Sequence, residues 1–345
     1  MSSSGKIIFF LFSSFILIGI IFVWFVKFPS IQAQGIIISP LGSEKTVPTP
    51  VDSLFEKVTN RETIDNLNTN EYFPKSLGME SSDDLDLEVE SYIAFDRESR
   101  KILLGKNITR KLPIASLTKI ATAIAALENG DLDRELVVSS ASANIGEATM
   151  GLTAGEKITV EEALYGLMLP SGNDAAETLA EGLGKYDLGT PQEETDGGGA
   201  RAWFMQKMNE KVQSLGLFDS YFFNPSGLDG EDIENTNFST VLDMAVLTNY
   251  ALSNRTFSQV VDTREKVFDY KARYHKAFYL YNILSFEGSY PGIKGVKPGI
   301  SIFADETLAS YNEKDGRRII VILLGSKHTK DDVVKIYDKI FGVEK

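Results

Sequence analysis

The chain has 345 residues, a formal net charge of −13, no cysteine and two histidines, His275 and His328. Without cysteine it has neither a disulfide nor a thiol nucleophile, and two histidines provide little for a metal centre, so we expect no metal and no cofactor. The composition, 43% apolar and 24% charged, is typical of a folded globular protein. The acidic balance argues against nucleic acid as a partner, because phosphate binding needs a basic surface.

The first segment of the chain is apolar. The twenty residues 7–26 carry no charge and are bracketed by Lys6 and Lys27. A helix of this length spans about 30 Å, the thickness of a bilayer core, so the segment predicts a transmembrane helix and residues 1–27 a membrane anchor. A cleaved secretory signal ending near Ala33 is the alternative. Both interpretations place the rest of the chain on the extracytoplasmic side, and the anchor predicts a single-pass protein of the cell membrane.

Residues 28–90 are predicted to form a linker. They hold five prolines, twelve acidic and four basic residues, and their net charge of −8 accounts for most of the −13 of the whole chain. They show no sustained apolar period, and polar segments of this kind bury too little apolar surface to fold alone. An acidic docking surface is the alternative interpretation.

The packed domain is predicted to occupy residues 91–345. It starts with a hairpin and ends with a buried strand and an amphipathic helix, which is typical of an α+β domain whose sheet joins the two chain ends. Glycines and a proline in 184–200 predict an exposed loop insertion. Thr159-Val-Glu-Glu162 has the pattern of a capping box and predicts the start of a helix at 159–169. The other predicted elements are strands at 91–96 and 101–105, helices at 115–129, 174–182, 202–215 and 239–252, a strand-rich part at 268–303, a strand at 317–324 and a helix at 331–341.

Ser116 and Lys119 stand three residues apart at the start of the predicted alanine-rich helix, so their side chains can meet on one face. A serine hydroxyl is a weak nucleophile until a base takes its proton, and a lysine is such a base only when it is neutral. Burial, a neighbouring cation and the positive end of a helix favour the neutral amine. The pattern alone is not specific, since Ser3 and Lys6 share it, and a helix N-cap is the alternative role for Ser116.

Two further motifs follow in order along the chain. Ser171-Gly-Asn173 lies between two predicted helices, and Lys297-Pro-Gly299 lies in the strand-rich part. Each has decoys elsewhere, such as Ser142-Ala-Asn144 and Lys314-Asp-Gly316. The order, spacing and structural context of the three motifs together are far rarer than any one of them.

This ordered set resembles the signature of the serine D-alanyl-D-alanine carboxypeptidases, the low-molecular-mass penicillin-binding proteins, in which the third motif is K-T-G. The resemblance covers about Tyr92 to Phe341. It implies a β-lactamase/transpeptidase-like fold, in which an antiparallel sheet with flanking helices and a helical lobe border the active-site cleft. Flanking runs also resemble the family: Pro113-Ile-Ala-Ser-Leu-Thr-Lys119, Thr159-Val-Glu-Glu-Ala-Leu164, Leu169-Pro-Ser-Gly-Asn-Asp-Ala-Ala176, Asn224-Pro-Ser-Gly-Leu228 and Asn282-Ile-Leu284.

The resemblance implies a role for each matching residue. Ser116 would attack the carbonyl carbon of a D-Ala-D-Ala peptide bond and form an acyl-enzyme, with Lys119 as its base. Ser171 would relay a proton to the leaving amine, and Asn173 would hydrogen-bond the substrate backbone and help position Lys119. Lys297 would keep Lys119 neutral and attract the terminal carboxylate of the substrate.

The resemblance also implies an oxyanion hole beside Gly299. Its donors would be the backbone N–H groups of Ser116 and Ile300, each typically worth about 3–4 kcal/mol in the transition state. The implied partners are a peptidoglycan stem peptide ending in D-Ala-D-Ala and β-lactam antibiotics, which act as covalent inhibitors.

One position departs from the family pattern. Pro298 stands where the family has the threonine whose hydroxyl helps hold the substrate's carboxylate, and it lacks an N–H group as well. Proline at the edge of a sheet is the structural interpretation. Ser301 and Lys327 are the candidates to replace the missing hydroxyl in carboxylate binding.

Three alternatives to a carboxypeptidase stay open at this point. An endopeptidase would use the same site on peptidoglycan cross-links. A class A β-lactamase needs a glutamate placed for deacylation, commonly in Glu-x-x-Leu-Asn, and no such string lies between Asn173 and Lys297. A non-catalytic domain that binds penicillin or peptidoglycan is supported only by Pro298.

The remaining candidate groups predict structure. His275 and His328 have charged or polar neighbours, which predicts surface histidines. The run Phe278-Tyr-Leu-Tyr281 alternates as a strand does, and favours a strand with a core face over a sugar-stacking platform.

Overall fold

A computed structural model describes residues 71–77, 85–192, 198–284 and 290–343 of the chain. The predicted transmembrane helix at 7–26 and most of the predicted linker lie outside these residues. Among the helices that are described, none is both long enough and apolar enough to cross a bilayer. All the described residues belong to one compact unit.

The described elements alternate between a sheet and a helical lobe. The strands are β1 (Ser76–Leu77), β2 (Val89–Asp96), β3 (Lys101–Lys106), β4 (Leu112–Pro113), β5 (Glu135–Val137), β6 (Lys157–Thr159), β7 (Phe238–Ser239), β8 (Glu265–Phe268), β9 (Phe278–Tyr281), β10 (Ile293–Ser301), β11 (Asp305–Lys314) and β12 (Arg317–Ser326). The α-helices are α1 (Thr118–Asn129), α2 (Ser140–Ala143), α3 (Val160–Met168), α4 (Asn173–Leu188), α5 (Gly198–Ser214), α6 (Val241–Ala251), α7 (Arg255–Val261) and α8 (Thr329–Phe341). Two short 3₁₀ turns lie at Ala115–Leu117 and Ile233–Asn235.

Six strands form the main sheet, in the order β1-β3-β2-β12-β11-β10. All neighbours in it are antiparallel except β1 and β3, which pair in parallel. Strand β12 is apolar without interruption because both of its faces are covered. Ile320, Ile322 and Leu324 join the core shared with the helical lobe, whereas Ile319, Val321 and Leu323 pack with the C-terminal helix α8. The sheet therefore joins the two ends of the domain, as the sequence predicts.

Helix α1 is the centre of the helical lobe. Its residues Thr118–Ala126 are all buried, and their many alanines let α3, α4, α5 and α6 pack around it. Helix α3 begins at the predicted capping box: Thr159 accepts a hydrogen bond from the N–H of Glu162, and the Glu162 carboxylate accepts one from the N–H of Thr159. This capping fixes where α3 starts, and the break after α3 is where the second motif lies.

The predicted loop at 184–200 is wrong at both ends, because α4 continues to Leu188 and α5 already begins at Gly198. Gly184 lies in the middle of a helix contact, where a Cβ atom would overlap the backbone carbonyl of Ala200. This glycine therefore permits close helix packing and does not end the helix. Residues 193–197 lie outside the described part.

The C-terminal end of the predicted linker belongs to the folded domain. Phe73 is only 4% exposed, and its carbonyl accepts hydrogen bonds from Nε and Nη2 of Arg100 at 2.9 and 2.6 Å. The carbonyl of Tyr72 accepts one from the amide of Asn249 at 3.1 Å. Strand β1 then adds to the edge of the sheet, so the sheet is mixed and not purely antiparallel.

The two histidines differ in their surroundings. His328 is exposed, as the sequence predicts. His275 is only 4% exposed, stacks on Phe278 with ring centroids 5.1 Å apart, and places Nε2 3.2 Å from a carboxylate oxygen of Glu162. The prediction of a surface position is wrong for His275, because the loop before β9 folds back onto the start of α3 and encloses the ring.

Candidate active site

Ser116 lies in the 3₁₀ turn that leads into helix α1. The residue before it, Ala115, has a left-handed backbone with φ of 46°, which is uncommon for alanine and turns the chain sharply into the helix. The residues that cap the turn and the helix are Ile114 and Leu117, neither with a side-chain cap. The Ser116 hydroxyl is therefore not an N-cap, and it lines the cleft described below.

The amine of Lys119 is fully buried beside the Ser116 hydroxyl. Its Nζ lies 2.9 Å from Oγ of Ser116, 2.8 Å from Oδ1 of Asn173 and 2.5 Å from the backbone carbonyl of Ser226. A neutral amine has two N–H bonds and one lone pair. Because the two oxygens of Asn173 and Ser226 only accept, they take both N–H bonds and leave the lone pair facing the hydroxyl.

The protonation of Lys119 is set mainly by its burial. Burial lowers the pKa of Lys119 from 10.5 to about 7, although the carboxylates of Glu147, Asp174 and Glu177 act in the opposite direction. A large fraction of the enzyme therefore carries a neutral lysine near neutral pH. This is the state in which the amine takes a proton from serine.

Ser171 occupies the break between α3 and α4 and places a second hydroxyl beside the first. Its Oγ lies 3.2 Å from Oγ of Ser116, and its backbone is left-handed with φ of 65°. Asn173, two residues later, begins α4 and donates from its amide nitrogen to the carbonyl of Gly146 at 3.2 Å. That bond orients the amide so that its oxygen faces Lys119.

Lys297 is buried in strand β10, and its Nζ donates to the carbonyl of Pro298 at 3.0 Å. Burial, together with the charge of Lys119, lowers the pKa of Lys297 well below its ordinary value. Burial is thus the first cause for both lysines. The charge of Lys119 lowers the pKa of Lys297, whereas the causes that act on the pKa of Lys119 are its burial and three carboxylates. An anionic substrate group at Lys297 would favour its charged form.

Strand β10 comes unusually close to the nucleophile because of Gly299. A Cβ atom at this position would lie 2.9 Å from the backbone nitrogen of Ser116 and 2.6 Å from Oγ1 of Thr307. The glycine lets the backbone of Gly299 and Ile300 lie next to the N–H of Ser116. An oxyanion hole built from the N–H groups of Ser116 and Ile300 requires this approach.

The departure at Pro298 fits the sheet. Pro298 lies in β10 and pairs with Leu308 of β11. Strand β10 is the last strand of the described sheet, and proline is tolerated in such an edge strand. Ser301 lines the cleft, and its hydroxyl oxygen accepts the N–H of Ala304 at 3.1 Å, which leaves its O–H free to donate. Ser301 is thus placed where a hydroxyl could meet a substrate.

Lys327 is placed differently from the other predicted residues. Its Nζ forms an ion pair with Asp305 at 2.8 Å on the exposed surface, and this pairing raises the pKa of Lys327. It is not among the residues that line the cleft in the described part of the chain. The predicted role of Lys327 at the substrate's carboxylate does not fit this placement.

A cleft of about 1060 Å³ is lined by six of the predicted residues, Ser116, Ser171, Asn173, Gly299, Ile300 and Ser301, while Lys119 and Lys297 are buried and are not part of this lining. Its lining also includes residues to which the sequence assigned no role: Ile145, Glu147, Gly227, Leu228, Asp229, Ile283, Glu306 and His328. Gly227, with φ of 86°, lets the loop of Asn224-Pro-Ser-Gly-Leu228 pack on Ala115, where a Cβ atom would overlap a carbonyl. Gly227 was the available sequence signal for a tight turn in this loop. The carbonyl of Ser226, which accepts a hydrogen bond from Lys119, has no signature in the sequence.

Comparison with known proteins agrees with this geometry. A model of the D-alanyl-D-alanine carboxypeptidase family matches residues 78–328. The chain is 31% identical over 279 residues to the D-alanyl-D-alanine carboxypeptidase DacF of Bacillus subtilis, across 78% of this chain and 66% of DacF. It is 29% identical to the D-alanyl-D-alanine carboxypeptidase DacB2 of Mycobacterium tuberculosis, across 68% of this chain and 74% of that one.

A solved structure shares the fold as well as the sequence pattern. The crystal structure of the Streptomyces K15 DD-transpeptidase matches with a TM-score of 0.67 and 27% identity, across 75% of this chain and 99% of that one. The fold is therefore the penicillin-binding transpeptidase type. With the family match extending over most of the chain, the chain belongs to the D-alanyl-D-alanine carboxypeptidase family.

Proposed function

We propose that this protein is a serine D-alanyl-D-alanine carboxypeptidase that removes the terminal D-alanine from peptidoglycan stem peptides. The observation that supports it most directly is the contact of 2.9 Å between Nζ of Lys119 and Oγ of Ser116, with the oxygens of Asn173 and Ser226 placed to accept both N–H bonds of the neutral amine. Such a pair generates an alkoxide without histidine.

In the acylation step the Ser116 Oγ–H proton passes to Nζ of Lys119 as Oγ bonds to the carbonyl carbon of the penultimate D-alanine. The N–H groups of Ser116 and Ile300 would hold the oxyanion. Ser171, 3.2 Å from Ser116, would give its hydroxyl proton to the nitrogen of the terminal D-alanine and take in exchange the proton held by Lys119, which returns Lys119 to the neutral amine. The C–N bond then breaks, which leaves an ester on Ser116 and releases D-alanine.

In the deacylation step a water molecule attacks the ester carbonyl and gives its proton to Lys119. The same two N–H groups would hold the second oxyanion. The ester C–O bond breaks, Ser116 recovers its proton, and the shortened stem peptide leaves as a carboxylate. Lys119 thus serves both steps, and a β-lactam whose acyl group blocks the approach of water would remain on Ser116 as an inhibitor.

Recognition of the substrate's carboxylate would rest on Lys297 and Ser301. Lys297 lies in the same strand as the oxyanion donor Ile300, and a carboxylate beside it would stabilise the ammonium form. Ser301 offers a hydroxyl donor in the cleft, in the part where Pro298 has none. Binding of the terminal carboxylate would therefore also select peptides with a free C-terminus over cross-linked ones.

Labelling with a fluorescent penicillin, followed by mass spectrometry of a pentapeptide substrate, tests the proposal. We expect the full chain to be labelled and to release one alanine per peptide. Ser116→Ala should abolish both signals, whereas Ser214→Ala, at an exposed serine, should change neither. Equal labelling of Ser116→Ala, or an unlabelled wild type, would overturn the acyl-enzyme. Cleavage of a cross-linked dimer without alanine release would instead indicate an endopeptidase.

We further propose that residues 7–26 anchor the protein in the cell membrane, with the catalytic domain on the extracytoplasmic side. The support is the uncharged length of this segment and the substrate's place in the wall. The acidic linker would give the domain reach. Fractionation of cells should find the full-length chain in membranes, resistant to carbonate and salt extraction. A mature chain that starts after about Ala33 would instead indicate a cleaved signal.

A further inference from the structure

The hairpin of β8 and β9 has one apolar face that packs against the core. Its other face carries large side chains that are exposed to solvent. Phe278 and Leu280 point into the core and are each 3% exposed, whereas Tyr279 and Tyr281 are 66% and 62% exposed. The same alternation continues beyond the strand to Ile283, which is 53% exposed. We call these three outward residues, Tyr279, Tyr281 and Ile283, the tyrosine strip. In an extended chain they span about 13 Å.

The tyrosine strip leads directly into the active-site cleft. Ile283 itself lines the cleft that contains Ser116 and Ser171. Its backbone N–H donates to the carbonyl of Leu169 at 3.0 Å, two residues before Ser171. This bond fixes the end of the strip beside the second catalytic motif, so a molecule lying along the strip would enter the cleft at a defined place.

The strip combines rings with charged neighbours. Tyr281 also lines a separate groove with Asp262, Arg264, Glu265 and Lys294. A phenol ring presents a negative π face to C–H bonds and a hydroxyl that hydrogen-bonds. Pyranose sugars have the complementary surface, with C–H bonds on one face and hydroxyl and amide groups around the edge.

We propose that the tyrosine strip is a docking surface for the glycan strand of peptidoglycan, which positions the attached stem peptide in the cleft. The inference rests on the proposed function, because the stem peptide is the substrate and the glycan is covalently joined to it. The strip runs from outside the cleft to Ile283 at its wall, as a polymer carrying a peptide branch requires. The glycan would add binding energy for wall-linked substrates and none for free peptides.

The test uses the full chain in detergent carrying Ser116→Ala, which prevents turnover. The probe is peptidoglycan glycan from which the stem peptides have been removed enzymatically, and binding is measured by competition for co-sedimentation with intact peptidoglycan. Loss of both rings in Tyr279→Ala/Tyr281→Ala should weaken binding about tenfold. Tyr279→Phe/Tyr281→Phe, which keeps the rings, should bind nearly as well as the parent. Phe218→Ala, at a side chain that is 77% exposed elsewhere, is the matched control and should not change binding.

A kinetic comparison in the chain that keeps Ser116, and can therefore turn over substrate, separates this inference from the proposed function. For the tyrosine double variant, kcat/KM should fall about tenfold on glycan-linked pentapeptide and stay unchanged on the free pentapeptide. Alanine release from neither substrate by the wild type would overturn the proposed function, while binding of stripped glycan would still decide about the strip. Equal binding of stripped glycan by parent and double variant overturns the docking surface. A double variant that changes only the oligomeric state overturns it too, and would assign the strip to self-association.

Discussion

At the scale of single residues, the proposed mechanism depends on the proton of Lys119. Only the neutral amine can act as the proposed base, and burial lowers the pKa of Lys119 to about 7. The fraction of enzyme with a competent base therefore rises with pH through about 7 and levels off above it. We expect the second-order rate of labelling by a fluorescent penicillin to follow this curve between pH 5.5 and 8.5, with about tenfold change per pH unit on its acid limb.

Lys119→Arg is the matched control for this pH dependence. Its guanidinium stays protonated at every pH in the range, so the variant keeps a charge but has no base. Labelling should be at least about 100-fold slower and should not rise with pH. A variant with the wild-type profile would show that another group is the base.

A second buried group has a predicted effect on stability and none on catalysis. Burial raises the pKa of Asp243 in helix α6 from 3.8 to about 6, against the hydrogen bond that its carboxylate accepts from Ser220 at 2.8 Å. Since the folded state holds this proton more tightly than the unfolded chain, the contribution is complete below about pH 4. It is lost as the pH rises to about 6 and is absent above that.

Asp243→Asn should remove this loss, because the amide oxygen still accepts from Ser220 and no charge is buried. Relative to the wild type, we expect the variant to gain up to about 3 kcal/mol in the free energy of unfolding between pH 4 and pH 7. Urea unfolding at several pH values measures it. Asp133→Asn, at an exposed aspartate, should leave the pH dependence unchanged, and parallel curves for Asp243→Asn would contradict the assignment.

The candidate site residues can be identified from local sequence motifs, whereas their surroundings cannot. Ser116, Lys119, Ser171, Asn173 and Lys297 lie in local motifs, and local motifs are visible in one sequence. The carbonyl of Ser226 and the burial of His275 depend on packing between distant segments. No local pattern marks the carbonyl of Ser226, because every residue has a carbonyl. The charged neighbours of His275 indicated an exposed ring, which is the opposite of its burial.

At the scale of elements, the approach of β10 to the start of α1 depends on one missing side chain. Gly299→Ala would place a methyl group 2.9 Å from the nitrogen of Ser116 and 2.6 Å from Oγ1 of Thr307. The strand must then move away from the nucleophile. We expect acylation by penicillin to slow about 100-fold, since small displacements of positioned groups cost that much. Labelling reactions quenched after defined times measure the rate, and thermal unfolding verifies that the variant is folded.

Gly199→Ala is the matched substitution for this test. A Cβ atom at Gly199 meets no atom within 4 Å, and the residue lies in the first turn of α5. Alanine there should leave the acylation rate unchanged and should stabilise slightly if it has any effect. If Gly299→Ala acylates as fast as Gly199→Ala, close approach of β10 is not required for the reaction.

Most helices and strands followed from period and capping, and their errors have physical causes. The capping box at Thr159 placed the start of α3 correctly because both of its hydrogen bonds are local. Gly184 begins the predicted loop at 184–200, yet it lies inside α4 and packs against α5, a tertiary effect that outweighs its low intrinsic helix preference. Lys327 was assigned to the cleft from its position after a strand, but an exposed aspartate holds it outside.

At the scale of the whole molecule, the segment before β2 is part of what holds the domain together. Phe73 is buried and belongs to the hydrophobic core shared with the helical lobe, although the composition of 28–90 predicts a solvated linker. Phe73→Ala in the full chain should therefore lower the free energy of unfolding by about 3 kcal/mol. Urea unfolding followed by circular dichroism measures it.

The control for this prediction is again Phe218→Ala. Its side chain is 77% exposed, so its removal should change stability by less than about 0.5 kcal/mol. Equal effects of the two substitutions would mean that Phe73 packs no more firmly than a surface residue. A single aromatic residue inside an acidic, proline-containing stretch is too weak a compositional signal to have moved the predicted boundary at Ser91.

Pro298 has a consequence for the behaviour of the protein at high concentration. The outer edge of β10 has to stay uncovered for a peptide to reach it, and an uncovered strand edge is a template on which strands of other molecules can aggregate. A proline in an edge strand turns its nitrogen to the open side and so interrupts the row of donors. The substitution that separates this chain from its family's third motif thus protects the same edge against unwanted association, while leaving room for a short guest.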